Sequence, residues 1–501
     1  MALLTETYSD QISGIFSCYD RIVIQGTLPG FCYAGGMTQH LYANNIRIFD
    51  YPQFAEPLRN QIRCNAEQLA KENAVEIQFL SNRKDRKEKL IKKIIETRGD
   101  HPGLVHIFSA MEACSSYKPW HDKQTHKTYL KPTRGKCLHY YFYFIDELLG
   151  LCHVRVPTWC PFRLQIYFNG HSRIANLLEH DGYNCTVIEN ALVQTDFDVA
   201  QQLSDKLEVK QIHHKLDQLA KLCCPVTEQF DRCYHWSVMQ IEYATDIIFK
   251  SRDHLQAIYQ DLVRNAVLSV KASDIATFLG RKLHQNYQDE MGNDLNTRIC
   301  GTRIKHKMGP VSIKMYDKFG YILRIETTVN DVSFFKHYRK VEHRDNTISM
   351  KNAPMKKGIY SLSALQELLA ASNRRYLEFI SCLDDHSVGR KNLNKISNAI
   401  IENSRRYKGF NLFDIDDQQL FEIIASGAFV ISGFQNKNIR EQMPDKSSGQ
   451  ISRILKRLRT HGLIKKIGRT YKYYLTKLGR KIITSGLMLK ELYIIPKLAT
   501  L

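Results

Sequence analysis

Long apolar runs and a secretion signal are both missing from this chain. No stretch of about eighteen apolar residues occurs, so the sequence predicts no transmembrane helix. The first residues, MALLTETYSDQ, lack a basic segment followed by an apolar one, so no signal peptide is expected. These absences predict a cytoplasmic protein without a membrane partner.

Paired metal-binding cysteines are also missing. The 13 cysteines are odd in number and scattered, and the nearest to a zinc pattern is Cys223-Cys224 followed by Cys233 and His235. That spacing lacks two CxxC knuckles, which favours reduced buried thiols over a zinc site. The sequence contains no Walker A loop, HExxH or GxSxG, which argues against the nucleotide and hydrolase chemistries that these motifs mark.

Acidic residues are scarce relative to basic ones. Lys+Arg number 71 against 51 Asp+Glu, which gives a net charge of +20 and a pI near 9.3. Such an excess favours a polyanionic partner, first a phosphate backbone and second an acidic membrane surface. The 501 residues are enough for two to four domains.

The basic excess is concentrated near the C-terminus. Ile451, Ile454, Leu455 and Leu458 form one stripe of a predicted helix. The opposite face carries Gln450, Arg453, Lys456, Arg457 and Arg459. Two strand-like runs follow, at 463–467 and 471–475, and no acid occurs between Lys446 and Lys481. Helices predicted at 417–428 and 436–443 precede this segment, so the order is that of a winged helix-turn-helix.

The segment SRILKRLRTHGLIKKIGRTYKYYLTKLGRK resembles the winged helices of MarR-type proteins. This resemblance implies DNA binding through the recognition helix and the wing. The implied contacts are Ser448, Gln450, Arg453, Lys456, Arg457, Arg469 and Lys472. The alternatives are a winged helix that contacts protein and a basic face that is merely solvated.

The fold class predicted for the whole chain is a multi-domain mixture of α/β and α+β. We expect an N-terminal α/β domain at 1–224, beginning with a strand at 20–26. A central domain at 225–403 is predicted to be helical at first, including 228–251, and then to form an antiparallel meander at 302–343. The winged helix occupies 410–501.

Two further segments could bind nucleic acid. The run 117–136 interleaves Lys131, Arg134 and Lys136 with Tyr117, Trp120 and Tyr129, a mixture that suits phosphates and stacked bases. An exposed hairpin without a ligand is the equal alternative. In the meander, strand alternation predicts that Arg303, Lys305 and Lys307 share a face, as do Lys314, Tyr316 and Lys318, and Arg324 and Glu326.

The meander also offers a catalytic reading. KMYDK followed by LRIE resembles segments of phage rolling-circle replication proteins, which implies Tyr316 as a nucleophile toward a DNA phosphate. Neighbouring cations would lower the pKa of such a tyrosine. Here the favoured alternative is structural: cross-strand ion pairs between Glu326 and Lys314 and between Arg324 and Asp317.

Three carboxylates placed at predicted strand ends are candidate metal ligands. Asp20 opens the first predicted strand, Glu112 follows the one at 104–108, and Asp146 lies in a hairpin turn. If they converge, they could hold Mg²⁺ or Mn²⁺ for phosphodiester cleavage. As separate residues they would serve as caps and turn formers.

The chain as a whole resembles an uncharacterised bacterial family whose members are labelled MarR-type because of their C-terminal domain. The resemblance rests on stretches such as IRIFDYPQFAEPLR, GLVHIFSAME and GTRIKHKMGPVSIKMYDKFGYILRIETT. The sequence therefore predicts a DNA-binding protein that requires no cofactor for binding, with RNA as an alternative partner and homodimerisation compatible with the pattern. The rival prediction is a strand-cleaving or strand-transferring enzyme of a mobile element.

Overall fold

The computed structural model describes residues 3–81, 86–230, 232–283, 290–298, 301–381, 385–468 and 470–499. The chain divides into two compact units, residues 1–381 (unit 1) and 382–501 (unit 2). Within these described ranges, no helix combines the length and the apolar character needed to cross a bilayer.

Unit 1 contains ten α-helices, five short 3-10 helices and fifteen strands among its described residues. The strands are β1 (Ile12–Thr27), β2 (Ile77–Phe79), β3 (Gly103–His121), β4 (Thr128–Asp146), β5 (Gly150–Pro157), β6 (Leu164–Phe168), β7 (Thr186–Val187), β8 (Leu192–Gln194), β9 (His235–Phe249), β10 (Met291–Arg298), β11 (Gly301–Met308), β12 (Val311–Lys318), β13 (Ile322–Val329), β14 (Lys336–Glu342) and β15 (Ile348–Pro354). The helices are α1 (Leu4–Thr7), α2 (Ala34–Ala43), α3 (Tyr51–Glu72), α4 (Lys87–Arg98), α5 (Gly170–His180), α6 (Phe197–Asp205), α7 (Val209–Cys223), α8 (Arg252–Ser269), α9 (Ala272–Phe278) and α10 (Leu362–Ile380).

An eleven-stranded sheet organises unit 1. Its order is β10-β11-β12-β13-β9-β1-β6-β5-β4-β3-β2. Neighbouring strands are antiparallel except for β2 and β3, which are parallel. Strands from both sides of the predicted boundary at residue 224 join this one sheet, because β9 pairs with β1 on one edge and with β13 on the other. The mixed α/β class predicted from the sequence is therefore present, and the meander strands β11–β13 lie toward one edge of the larger sheet.

The helix predicted at 228–251 is wrong, because 235–249 form strand β9. β9 lies between two strands, and its side chains alternate between the two faces of the sheet. Tyr243 and Ala244 face β1 partners Tyr19 and Cys18 in antiparallel register. A strand buried on both faces reads as a nearly continuous apolar run, which sequence periodicity does not separate from a buried helix.

The two faces of the sheet differ in chemistry. On one face, α10 packs over β9 and β13, and Asn373 donates hydrogen bonds to the carbonyl oxygens of Tyr243 and Ile325. The apolar stripe of α10 supplies Leu362, Leu365 and Leu369, all fully buried. The opposite face, called the polar face below, carries Asp20 of β1, Glu242 and Asp246 of β9, Arg324 and Glu326 of β13, and Lys314 and Tyr316 of β12.

Unit 2 is built from helices and two short hairpins. Its helices are α11 (Asp385–Ser397), α12 (Ile415–Ile424), α13 (Gly427–Ser432), α14 (Asn436–Gln442), α15 (Ser448–Thr460), α16 (Lys477–Leu489) and α17 (Ile495–Leu498). Its strands are β16 (Ile400–Glu402), β17 (Arg405–Tyr407), β18 (Ile464–Lys466) and β19 (Tyr473–Leu475). The core includes Ile451, Leu455 and Leu458, the predicted apolar stripe of α15. Ser447 caps α15 in a capping box with Gln450.

Candidate functional site

A β-bulge places Asp20 on the polar face. In the pairing of β1 with β9, Tyr19 lies opposite Tyr243 and Arg21 lies opposite Glu242, so Asp20 is the extra residue. A bulge re-aims a side chain and breaks the strict alternation of a strand. Asp20 therefore lies in the middle of β1, whereas the sequence predicts it at the start of a strand. Its side chain points inward and is 4% exposed.

Arg324 joins Asp20 to Asp246 at the centre of the sheet. Its Nε and Nη2 donate to the two carboxylate oxygens of Asp246, each at 2.6 Å. Its Nη1 donates to Asp20 Oδ1 at 3.1 Å. Nδ2 of Asn190 also donates to Asp20, at 2.7 and 2.9 Å from its two oxygens. The predicted pair of Arg324 with Asp317 is therefore wrong, because Arg324 points toward β9 and β1.

His171, at the start of α5, completes this buried network. Its Nδ1 lies 3.0 Å from Asp20 Oδ1 and its Nε2 lies 3.3 Å from Asp246 Oδ2. Burial and the charge of Arg324 lower the pKa of His171, but Cys18 and the two carboxylates raise it above its ordinary value. Burial also favours protonated Asp246, yet Arg324 and His171 lower the pKa of Asp246 to about 2. The network is thus charged and internally compensated.

Three carboxylates meet beside this network. Oxygens of Asp20, Glu242 and Glu326 lie within 4.8 Å of one another. Lys314 lies between two of them, with Nζ 2.5 Å from Glu326 Oε1 and 3.2 Å from Glu242 Oε1. The predicted Glu326–Lys314 pair is therefore confirmed. Burial and the charge of Glu326 raise the pKa of Glu242. Hard oxygen ligands at this spacing are chemically suited to Mg²⁺ or Mn²⁺.

Tyr316 lies in the same cluster but is not activated. Its hydroxyl donates to Glu326 Oε2 at 2.7 Å. Burial and the negative charge of Glu326 raise its pKa well above the ordinary tyrosine value. The expectation of a lowered pKa is wrong, because the lowering effect of Arg324 is smaller than the raising effects of burial and Glu326. Tyr316 is a hydrogen-bond donor to the acid cluster.

A row of cations continues the polar face on β11. Lys305 lies opposite Lys314 and Lys307 lies opposite Ser312, so their side chains share the face of the acid cluster. Arg303 follows the same alternation and is half-buried, and its Nε finds no acceptor among the described residues. Arg303, Lys305 and Lys307 share a face as predicted. Arg324 and Glu326 also share a face as predicted, although Arg324 is fully buried.

Glu112 and Asp146 belong to other networks, so the predicted site of Asp20, Glu112 and Asp146 does not form. Glu112 lies within β3, four strands from β1, and accepts hydrogen bonds from Tyr141 at 2.6 Å and Arg155 at 2.7 Å. Asp146 caps its turn by accepting from the backbone of Leu148 and Leu149. Turn formation is the alternative that the sequence suggested for Asp146.

The predicted polar segment is the outer end of the hairpin β3–β4. Arg134 and Lys136 are exposed, opposite Ser115 and Ala113. Lys131 instead lies over the Trp120 ring, with Nζ 3.8 Å from the ring centre. Tyr117 is buried and donates to the carbonyl of Phe31. The exposed part of this segment therefore contains Arg134, Lys136 and the Trp120 ring, which is 40% exposed.

In unit 2, the start of α15 forms an exposed polar surface with α14. Ser448, Gln450 and Arg453 are all exposed. Asn436 of α14 donates to Ser448 O at 3.0 Å and to Ser452 Oγ at 2.9 Å, which holds the two helices together. Within the described part of unit 2, Arg453 makes no hydrogen bond or ion pair. Lys472, also exposed, approaches the carbonyl of Ser432 at 3.3 Å.

Two residues predicted to contact nucleic acid form ion pairs within unit 2 instead. Arg457 forms a bidentate pair with Asp417 at 2.8 and 3.0 Å and donates to the carbonyl of Lys408. Its guanidinium stacks on Phe410 at 3.8 Å. Lys456 pairs with Glu402 at 2.8 Å. Neither cation is available to a phosphate without breaking these contacts. Arg469 lies outside the described residues.

Sequence reasoning missed Glu242, Asp246, His171 and Asn190. The first two were hidden by the helix prediction for β9, and the bulges at Asp20 and near Met239 interrupt the two-residue alternation that would have revealed them. The run Ile241-Glu242-Tyr243, with an acid between two large apolar residues, was the available signal for a strand. His171 reaches the cluster from the first turn of α5 and Asn190 from the turn between β7 and β8, and no local pattern predicts either.

Comparisons of the chain with models of protein families, with curated proteins and with solved structures find no match.

Proposed function

We propose that this protein binds DNA through a winged helix in unit 2. The observation that carries the proposal is the exposed surface at the start of α15, where Ser448, Gln450 and Arg453 project from one helix end. Hydrogen-bonding side chains at the N-terminal end of a recognition helix are the groups that contact base edges in the major groove.

Basic residues flank this surface. Lys437 and Arg440 of α14 and Lys465, Lys466 and Lys472 of the β18–β19 hairpin are exposed. A helix with a following basic hairpin places cations on both sides of a groove, where they neutralise phosphates. In the capping box, the side-chain oxygen Oε1 of Gln450 accepts a hydrogen bond from the backbone N–H of Ser447 at 2.7 Å. The side-chain NH₂ group of Gln450 therefore remains the donor for a base.

A gel-shift titration of the full chain over a range of salt concentrations tests this proposal. Arg453→Ala should weaken binding to a selected site by about 1–3 kcal/mol if it contacts a base. Lys472→Ala should instead reduce the salt slope by about 0.9 for the phosphate contact that is lost. Lys477→Ala, an exposed position at the start of α16, serves as the matched control. Affinities and slopes equal to wild type in both test variants would refute the winged-helix assignment.

A second candidate function is phosphodiester cleavage on the polar face of unit 1. The observation that favours it is the convergence of Asp20, Glu242 and Glu326 within 4.8 Å, with Lys314 between them. A divalent ion bound there would supply Lewis-acid stabilisation of the phosphate and an activated water. The cations Lys305 and Lys307 on the neighbouring strand lie on the same face, where they can hold the phosphates that flank the cleaved bond.

The donor set fits a divalent ion, provided that Lys314 moves. Its ammonium group neutralises Glu242 and Glu326, so a bound cation would replace it between the two acids. Lys314 would then be free to contact a phosphate oxygen. The Arg324, Asp246 and His171 network fixes Asp20 from behind and would keep it ionised, because Arg324 and His171 hold the pKa of Asp20 well below its usual range against the effect of burial.

Incubation with labelled single- and double-stranded DNA and RNA in Mg²⁺ or Mn²⁺ tests the second candidate. Cleavage should require Glu326, so Glu326→Gln should abolish it, whereas Tyr316→Phe and Glu112→Gln should retain it. Cleavage lost in Tyr316→Phe with a covalent protein–DNA adduct in wild type would support strand transfer by tyrosine instead. Absence of any cleavage under these conditions would leave the acid cluster as a structural ion network.

A further inference from the structure

An arginine without an acceptor lies in the interior of unit 1. Arg173, in the first turn of α5, is 5% exposed, and its Nε is fully buried. None of the described residues accepts a hydrogen bond from its guanidinium or pairs with it. Because arginine stays charged at any physiological pH, this burial carries a large free-energy cost unless an anion compensates it.

No protein carboxylate provides that compensation. The groups whose charge would act on Arg173 are Cys18 and Glu208. Burial raises the pKa of the Cys18 thiol, which favours its neutral form, and Glu208 is exposed and makes no ion pair with Arg173 within the described chain. The aspartates of the neighbouring network are already bound by Arg324 and His171. The positive charge of Arg173 therefore lacks a partner that the chain itself supplies.

A small cavity adjoins Arg173. Its lining consists of Gly170, Arg173 and Ile174 of α5, Cys18, Tyr19 and Ile22 of β1, Phe168 of β6, Ser204 of α6, and Leu207. Its volume of about 10 Å³ for the centre of a water-sized molecule admits one water or one ion of similar size. The cavity also lies at the N-terminal end of α5, an eleven-residue helix, whose dipole favours negative charge there.

We propose that Arg173 and the first turn of α5 bind a single monoatomic anion of the halide class in this cavity. The size of the cavity excludes phosphates and carboxylic acids. A bound water would satisfy hydrogen bonds but leave the charge uncompensated, so an anion is the occupant that the chemistry requires. The site is independent of both nucleic-acid surfaces and does not rest on the proposed function.

Thermal unfolding of the full chain, followed by tryptophan fluorescence, tests the site. Sodium chloride or sodium bromide is titrated against sodium gluconate at constant ionic strength, because gluconate is too large for the cavity. We expect a saturable rise of the midpoint on the order of 5 °C at a hundredfold excess over the dissociation constant. Arg173→Met, which removes the charge at similar volume, should show no such rise. Arg163→Met, at a half-buried arginine that donates to the carbonyl of Cys32, should keep it.

Two results would overturn the proposal. One is a halide response that is absent in wild type or equal in Arg173→Met. The other is a water, and no anion, beside the guanidinium of Arg173 in crystals of the wild-type protein grown in sodium bromide. We expect an anomalous peak from bromide at that position. This measurement does not require Arg173→Met to fold.

Discussion

Arg324 and Asp246 are joined by two parallel hydrogen bonds of 2.6 Å across neighbouring strands, and neither side chain is exposed to solvent. This pair connects β13 to β9 in the middle of the sheet, and through Asp20 it reaches β1. The guanidinium of Arg324 therefore links side chains of three strands that are far apart in the sequence. A buried pair of this kind need not add net stability, but losing one partner leaves the other charged and unpaired.

We predict that Arg324→Met destabilises unit 1 by about 3–5 kcal/mol, because Asp246 and Asp20 lose their cation. The measurement is urea unfolding followed by tryptophan fluorescence, which reports unit 1 because all 3 tryptophans (Trp120, Trp159 and Trp236) lie within it. The double variant Arg324→Met with Asp246→Asn should recover part of the loss. Equal stability of Arg324→Met and wild type would contradict the role given to this pair.

In unit 2, we predict a large loss of stability for one arginine of α15 and almost none for another. Arg457→Ala should destabilise unit 2 by about 3 kcal/mol, since Asp417 is 5% exposed and would lose its bidentate partner. Arg453→Ala should change stability by less than about 0.5 kcal/mol, because Arg453 is exposed and makes no hydrogen bond or ion pair within the described part of unit 2. Unit 2 contains no tryptophan, so hydrogen exchange of peptides covering 405–425 is the suitable readout. Faster exchange in Arg453→Ala than in Arg457→Ala would reverse this assignment.

How much of the fold could be predicted depends on where each element buries its surface. The stripe of α15 and the strands β11–β13 were predictable, because one face of each is polar and the period is visible. β9 was not, since it is covered on both sides and carries acids only where they meet Arg324 and Lys314. Lys314 and Glu326 were predictable as a pair from cross-strand spacing. Asp20 was singled out as an acid, but its partners come from β9 and α5, and only the long-range pairing of β1 brings them together.

The pH dependence of stability should show that His153 is held neutral in the folded protein. This ring is stacked on Tyr167 between β4 and β6, and burial, with Lys87 and other cations, lowers its pKa from 6.5 to about 3. A histidine that is neutral in the fold and protonated when unfolded contributes stability above pH 6.5 that is lost as the pH falls toward 3. Between pH 7 and pH 5, we expect His153 to account for a loss of about 2 kcal/mol.

The variant His153→Phe should show a shallower loss over this interval by that amount, measured by urea unfolding at each pH. Asp246 and Glu112 do not interfere, because they have pKa values of about 2 and begin to lose their contribution only near their ordinary pKa values of 3.8 and 4.5. Other titrating carboxylates such as Glu242 are the same in both proteins, so the comparison of variant with wild type isolates His153. His101→Phe, at an exposed position, is the control. An identical loss of unfolding free energy between pH 7 and pH 5 in His153→Phe and wild type would show that His153 is not held neutral.

Lys314 gives a test of the acid cluster that does not depend on catalysis. Without a divalent ion, Lys314→Gln should destabilise unit 1 by about 3 kcal/mol, because Glu242 and Glu326 then face each other and Asp20 without their shared cation. If the three carboxylates can hold Mg²⁺ or Mn²⁺, the ion should restore much of this stability, since it takes the place of the lost ammonium group.

Wild type should respond less to the ion, because Lys314 competes with it. The measurement is the midpoint of thermal unfolding of each variant with and without the divalent ion, compared with Lys314→Gln that also carries Glu326→Gln. A rescue that is equal in the single and double variants would show that the ion acts elsewhere on the protein. A destabilised Lys314→Gln with no rescue would mean that these acids are arranged for Lys314 alone, and that the polar face of the sheet is a structural network.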